Sequence, residues 1–411
     1  MPTDDAIEAL GAWQGYSAGT CGRFAAGEKG AREEIWVELL PDPDTPLVCD
    51  RCGGPAEGVH DVTERWVRDL PAWGADTWLL VHRRRVRCPS CGVALERLDW
   101  LAPYARVTTR MAESVARLCE ILPVAHAAGF YGLSWDTTKR IHKAWLERTL
   151  GPPDLREVDV IGMDEFALRK GHRYATVIVD ASTKRVLWVA HGRSRDSVRP
   201  FFEALGEEGR DGLLAVAMDM HGPFEDEVRA QCPDAAIVYD LFHVVAKYAR
   251  EVIDRVRVDE ANRLRHDKAA RRQVKGSKWL LLRNKENVTR PKDRVRLKEL
   301  LAANRKLLTV VLLRDDLKHL WDYTYEGAAR RFWKDWYQRA IRSRIEPLKR
   351  FARNLKKRIE GVFTHCRYPL NTSLLEGINN KIKVIKRMAY GFHDDEYFFL
   401  KIRAAFHADW R

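Results

Sequence analysis

The 411-residue chain has no apolar run of about 18 residues, which argues against a membrane-spanning helix. Its start, Met1-Pro2-Thr3-Asp4-Asp5, lacks the basic-then-apolar pattern of a secretion signal. Cysteine is sparse: Cys21, Cys119, Cys232 and Cys366 are scattered singly, and the other four form two Cys-x-x-Cys pairs. A chain of this length does not need disulfide staples, so a reducing cytosol with one metal site is expected. Acid is scarce in one long stretch. Residues 244–360 hold 34 Lys and Arg against 15 Asp and Glu, a surplus of 19, so with a total of +13 the rest sums to −6. Such a block reads either as a polyanion-binding surface or as a solvated helical face. Residues 1–47 are weakly patterned. Within them Glu34-Ile35-Trp36-Val37-Glu38-Leu39 alternates like an edge strand ended by Pro41 and Pro43. The length is that of about three domains.

The paired cysteines carry the first chemistry. Cys49-Asp50-Arg51-Cys52 precedes Gly53-Gly54, and Cys88-Pro89-Ser90-Cys91 precedes Gly92. Each pair predicts a tight knuckle whose glycine lets backbone amides approach the thiolates. Four thiolates in two knuckles match tetrahedral Zn²⁺. A strand over 77–87 lies between them, so residues 48–100 predict a zinc ribbon, although the 35-residue gap between pairs is long. His60 reads as a polar strand residue rather than a fifth ligand. Three short helices then fill 107–150. Thr108 or Thr109 caps the first, Gly132-Leu133-Ser134 makes the second turn, and Ser134 caps a helix from Trp135 bearing Lys139, Arg140 and Lys143. This is helix-turn-helix geometry, placing those three cations on DNA.

Residues 157–245 predict a mixed α/β core with strands over 158–163, 174–180 and 186–190. A helix over 196–205, a strand over 213–218, a helix over 224–231 and a strand over 235–240 follow. The order β-β-β-α-β-α-β is that of a ribonuclease-H-like fold, in which the first and fourth strands are neighbours. Asp164 and Asp219 each close one of those two strands and would sit side by side; Asp240 is the nearest rival as a ligand. A helical, basic segment follows, with Trp321, Trp333 and Trp336 inside it. Tryptophans at helical spacing pack a core more often than they stack on bases, but both readings stay open. Glu376 comes 157 residues after Asp219, on a helix carrying Lys383, Lys386 and Arg387. Three hard oxygen ligands suit two Mg²⁺ or Mn²⁺ ions, the apparatus of in-line phosphodiester chemistry, and cations beside an acid suit a phosphate held there. Asn379-Asn380 is an odd pair for a merely structural helix.

The stretches 162–172, Asp240-Leu241-Phe242-His243-Val244 and 376–387 through Tyr390-Gly391-Phe392 resemble DDE transposases of bacterial insertion sequences of the IS-L-three type. The resemblance covers about residue 48 to the C-terminus. It implies a zinc ribbon, a helix-turn-helix and a ribonuclease-H-like core interrupted by an all-helical insertion, with the catalytic triad on Asp164, Asp219 and Glu376. Asp240 and His243 match a supportive secondary motif, while Asp219-Met220-His221 is the looser match. The expected division is 1–47 of unknown role, 48–100 ribbon, 101–150 helix-turn-helix, 157–245 and 366–411 core, and 246–365 insertion. The expected activity is binding of the element's terminal inverted repeats, then metal-dependent cleavage and strand transfer. The expected partners are double-stranded DNA ends and target DNA, with a homodimer or larger assembly on DNA in the bacterial nucleoid. A metal-dependent nuclease without strand transfer, and a zinc-ribbon/helix-turn-helix regulator without catalysis, are the alternatives.

Overall fold

The computed structural model describes residues 13–24, 32–169, 171, 173–283, 285–370 and 373–407. The chain forms two compact units, residues 1–151 with 386–400 and residues 152–385 with 401–411. Residues 366–385 and 401–411 fall in the second unit and 386–400 in the first. Among the described residues no helix is long and apolar enough to cross a membrane.

The first unit is built on strands β1 (Tyr16–Arg23), β2 (Glu34–Pro41), β3 (Gly58–Ala72), β4 (Ala75–Cys88) and β5 (Gly92–Leu95). They are ordered β1-β2-β4-β3, with β5 also on β4. The β3–β4 hairpin turns on Trp73 and Gly74, both at positive φ (49° and 77°), the primed-turn backbone whose twist matches that of the flanking strands. The segment 34–39 is not the edge expected: β2 pairs β1 on one side and β4 on the other, and Val37 and Leu39 are buried. Leu39, Val67, Leu79 and Val81 form the sheet's core. Asp69, fully buried at the end of β3, fixes the next element. It accepts from Thr108 Oγ1 at 2.6 Å and Arg110 Nε at 2.8 Å.

Helices α1 (Thr109–Ile121), α2 (Val124–Tyr131) and α3 (Trp135–Leu150) follow. Their boundaries have the predicted causes. The Thr108 hydroxyl accepts from the Met111 amide, Gly132 ends α2 at φ 60°, and the Ser134 hydroxyl accepts from the Thr137 amide.

The second unit holds β6 (Val160–Arg169), β7 (Arg173–Asp180), β8 (Val186–His191), β9 (Ala215–Met218) and β10 (Ala236–Tyr239), ordered β10-β9-β6-β7-β8. β6, β7 and β8 form the expected antiparallel meander; β9 lies parallel to β6, and β10 parallel to β9. Helices α4 (Arg195–Asp211) and α5 (Gly222–Gln231) connect them. The two helices are tied by Glu227, fully buried, which accepts from Arg195 at 2.8 Å and Arg199 at 2.9 Å. A run of helices from Leu241 to Phe363 packs on this sheet within one continuous core, in which Met218 and Tyr239 join Tyr248, Val310, Trp336 and Phe351. The three tryptophans belong to it. Trp321 and Trp333 are each 7% exposed and Trp336 is fully buried, with its indole donating to the Leu313 carbonyl. They pack the helices and are not exposed to stack on bases.

Candidate active site

Parallel pairing sets the site. Met163 on β6 lies opposite Met218 on β9, and Met218 opposite Tyr239 on β10. The next residues in the three strands are Asp164, Asp219 and Asp240, so three carboxylates form a row across neighbouring strands. Asp164 does not close its strand as expected. β6 runs on to Arg169 because β7 continues to pair with it, while its parallel partner β9 stops at Met218. The site therefore opens where β9 and β10 end and one flank of β6 is left unpaired. Glu165 points to the other face and pairs with Arg193 at 3.0 Å.

The fourth element is the helix Ser373–Met388. Gly162 lies two residues before Asp164 and so shares its face. A Cβ there would stand 2.9 Å from Leu375 Cδ2, so glycine admits the helix close to the strand. One turn on, Asn379 Nδ2 donates to Asp164 Oδ2 at 2.5 Å, which gives the unusual asparagine a partner. Its Oδ1 is buried without a partner. Glu376 lies one turn before Asn379 and is exposed. The helix thus reaches the Asp164 carboxylate through Asn379. Among the described residues, the group of three or more His, Cys, Asp or Glu at metal-ligand spacing is the cysteine cluster. Lys383 and Arg387 are exposed on this helix, and Lys386 is half-buried.

His243 sits against the aspartates, its Nδ1 3.1 Å from Asp219 Oδ2. That hydrogen bond, with Asp164 and Asp240 nearby, outweighs burial and raises the imidazole to about 9. It is a cation at neutral pH. Its contribution to stability is full below the ordinary histidine value and is lost as pH rises through about 9. Burial pushes Asp164 up to about 6, against His243 and the Glu165 amide, while Asp219 adds repulsion. Asp219 Oδ1 is buried and unpartnered. Asp240 caps the helix that carries His243, accepting from the Phe242 amide at 2.6 Å. A desolvated carboxylate and an orphaned carboxylate oxygen beside it are groups that a bound cation would satisfy, in competition with the His243 imidazolium.

The cysteine knuckles close as predicted. The ligand atoms of Cys49, Cys52, Cys88 and Cys91 all lie within 4.8 Å of one another, with Cys52 and Cys88 sulfurs 3.5 Å apart. Gly53 and Gly92 take positive φ, 69° and 71°. Against the effect of desolvation, the Ser90 and Cys91 amides draw the Cys88 thiol down to about 7. These thiols fit a tetrahedral Zn²⁺, whose 2.3 Å bonds set sulfurs roughly 3.8 Å apart. His60 is exposed on β3, as expected.

On α3, two of the expected DNA contacts are engaged within the chain. Lys139 pairs with Asp394 at 2.8 Å, and Lys143 with Glu396 at 2.9 Å. Beside them His142 Nδ1 and the Tyr397 hydroxyl are 2.7 Å apart. Arg140 is exposed. These acids lie some 250 residues from the lysines, and no local spacing in the sequence announces such a pairing.

A family model described as a transposase, DDE_Tnp_ISL3, matches residues 161–402, which include the aspartate row, His243 and Glu376. This chain belongs to the ISL3 family of DDE transposases. Its helix-turn-helix matches the model for that domain in transposase family ISL3 over 96–146. Its cysteine knuckles match the zinc-finger of transposase IS204/IS1001/IS1096/IS1165 over 45–91. The chain is 50% identical to the transposase for insertion sequence element IS1001 of Bordetella parapertussis, over 97% of both chains. It is 26% identical to the transposase for insertion sequence element IS1557 of Mycobacterium tuberculosis, over 91% of this chain and 88% of that one. This ISL3 transposase is thus an enzyme of the DDE type that binds DNA through its helix-turn-helix domain and carries a structural zinc site.

Proposed function

We propose that this transposase grips the terminal inverted repeats of its own insertion sequence and cuts and joins DNA at Asp164, Asp219 and Glu376. The observation that carries the reading is the placement of two carboxylates in one strand row, with the helix of Glu376 anchored to the same face through Leu375 and Asn379. The core around them is ribonuclease-H-like, with 157–245 and 366–411 as its parts and 246–365 as a helical insertion. The three acids would hold two Mg²⁺ or Mn²⁺ ions, which when bound supply an activated water or 3′-hydroxyl and neutralise the leaving oxygen. Asp164 and Asp219 supply oxygens fixed by the sheet. Glu376, exposed on the helix seated against β6, would complete the set. His243 holds positive charge against the aspartates and keeps them together. Lys383, Lys386 and Arg387 line the helix beyond Glu376 and would hold DNA phosphates. The zinc ribbon and Arg140 would bind the repeats, with Lys139 and Lys143 joining once released from Asp394 and Glu396. Both repeats are held in a dimer or larger assembly, on double-stranded end and target DNA in the bacterial nucleoid.

The test is incubation of purified protein with a repeat-end duplex and a target plasmid in Mg²⁺ or Mn²⁺. Metal-dependent 3′-hydroxyl ends followed by joining to the plasmid support the reading. Cutting without joining would make the protein a nuclease, and binding without cutting a regulator.

A further inference from the structure

One segment far from the aspartate row in the sequence combines free cations with an exposed indole. Residues 268–283 contain six Lys and Arg and no Asp or Glu. The helix Lys268–Lys275 buries only Val274. Arg271, Arg272 and Lys275 are exposed, and among the described residues no carboxylate pairs with them. Next in the chain comes Trp279, 70% exposed, whereas the other three tryptophans of the helical run are at most 7% exposed. An indole gains most from burial, and in the helical run Trp279 alone among the described tryptophans forgoes it. This one does not sit on a loose loop. Arg257 and Arg314, both buried, donate to the backbone on either side of it, to Lys275 O at 2.9 Å and Leu281 O at 2.9 Å. Ser277 Oγ donates to Val274 O at 2.6 Å, and Lys278, 3.3 Å from Asp254, places its ammonium 5.6 Å from the indole centroid. Two buried guanidinium groups thus hold the turn from which Trp279 projects into solvent, four residues after Lys275 in the chain.

A polyanion that also presents flat aromatic faces fits this surface. Duplex DNA hides its base faces in the stack, whereas an unpaired strand offers them. We propose that Trp279, with Arg271, Arg272 and Lys275, forms a binding site for single-stranded DNA. The indole stacks on an unpaired base, and the cations bind the adjoining phosphates. The choice of DNA as the polyanion rests on the transposase reading; the site uses neither the triad nor the helix-turn-helix.

The test measures binding alone, without divalent ions. Fluorescence anisotropy of full-length protein is recorded with labelled oligo(dT) of about 20 nucleotides, longer than the footprint of one such site, and with a duplex of equal length. Trp279→Ala is expected to weaken oligo(dT) binding about tenfold, as loss of one stacked base would. It should leave duplex binding within about twofold and the melting temperature unchanged, while Trp279→Phe retains binding within about threefold. The triple variant Arg271→Ala, Arg272→Ala, Lys275→Ala should lower the slope of log affinity on log salt by about 2, at ~0.7 per phosphate. Unchanged oligo(dT) affinity in Trp279→Ala would overturn the site. So would an equal loss on duplex, or loss of self-association in place of DNA binding. Inactive triad variants leave these readouts untouched, so failure of the catalytic reading would be seen separately.

Discussion

At the residue scale, the aspartate row is set by the charges packed around it. Asp164 is raised to about 6 chiefly by burial and His243 to about 9 chiefly by its bond to Asp219. Asp219→Asn should therefore return the imidazole toward its ordinary value. Observed by NMR, His243 in that variant should titrate well below 9, and an unchanged titration would remove Asp219 as its main partner. Asn379 is the second residue on which the site turns. Asn379→Ala takes the donor from the Asp164 carboxylate. Loss of one hydrogen bond to a charged group costs about 1.5–3 kcal/mol, so cleavage should fall at least tenfold while end binding persists. Both aspartates were legible as residues at the ends of apolar runs. Asn379 was legible only as an oddity, because its partner lies 215 residues away.

At the element scale, contacts rather than propensities decide where each element sits. Gly162→Val would place methyls where Leu375 Cδ2 lies 2.9 Å from a bare Cβ, and Val179 3.1 Å. It should push the helix of Glu376 off β6, costing about 1–3 kcal/mol in thermal stability and abolishing cleavage. Cys88→Ser removes one of four thiolates. Zinc content measured by atomic absorption should drop from about one per chain toward zero, with end binding weakened and the aspartate row intact. Glu227 joins α4 to α5. Burial would raise its carboxyl, yet Arg199, Arg195 and Gln231 bring it down to about 2. A depressed carboxyl stabilises above its unfolded value, near 4.5, and that contribution is lost as pH falls through about 2. Glu227→Gln should therefore melt lower than the parent at pH 7, and the gap should narrow below pH 4. Caps and turns at Thr108, Gly132 and Ser134 were readable from local sequence, because each acts within four residues. The continuation of β6 past Asp164 was not, because the β7 partner that sustains it lies on the far side of a turn.

At the scale of the whole molecule, the helical run is basic outside and apolar inside. Its charge surplus was evident in the composition, whereas the destination of its tryptophans depends on which helix faces meet. Trp336→Ala should cost about 3–5 kcal/mol and threaten folding outright, as expected for a fully buried indole. The pairing of Lys139 and Lys143 with Asp394 and Glu396 was equally invisible, since it joins residues about 250 apart in the sequence. Asp164, Asp219 and Glu376 are proposed to form one metal-binding catalytic set. The decisive measurement is Mn²⁺-dependent cleavage of a labelled repeat-end duplex by Glu376→Gln, alongside Asp164→Asn and Asp219→Asn. End binding should stay within about threefold of the parent and cleavage should fall about a hundredfold or more in all three, the loss of several kcal/mol of transition-state stabilisation. Cleavage near the parental rate by Glu376→Gln would contradict that assignment.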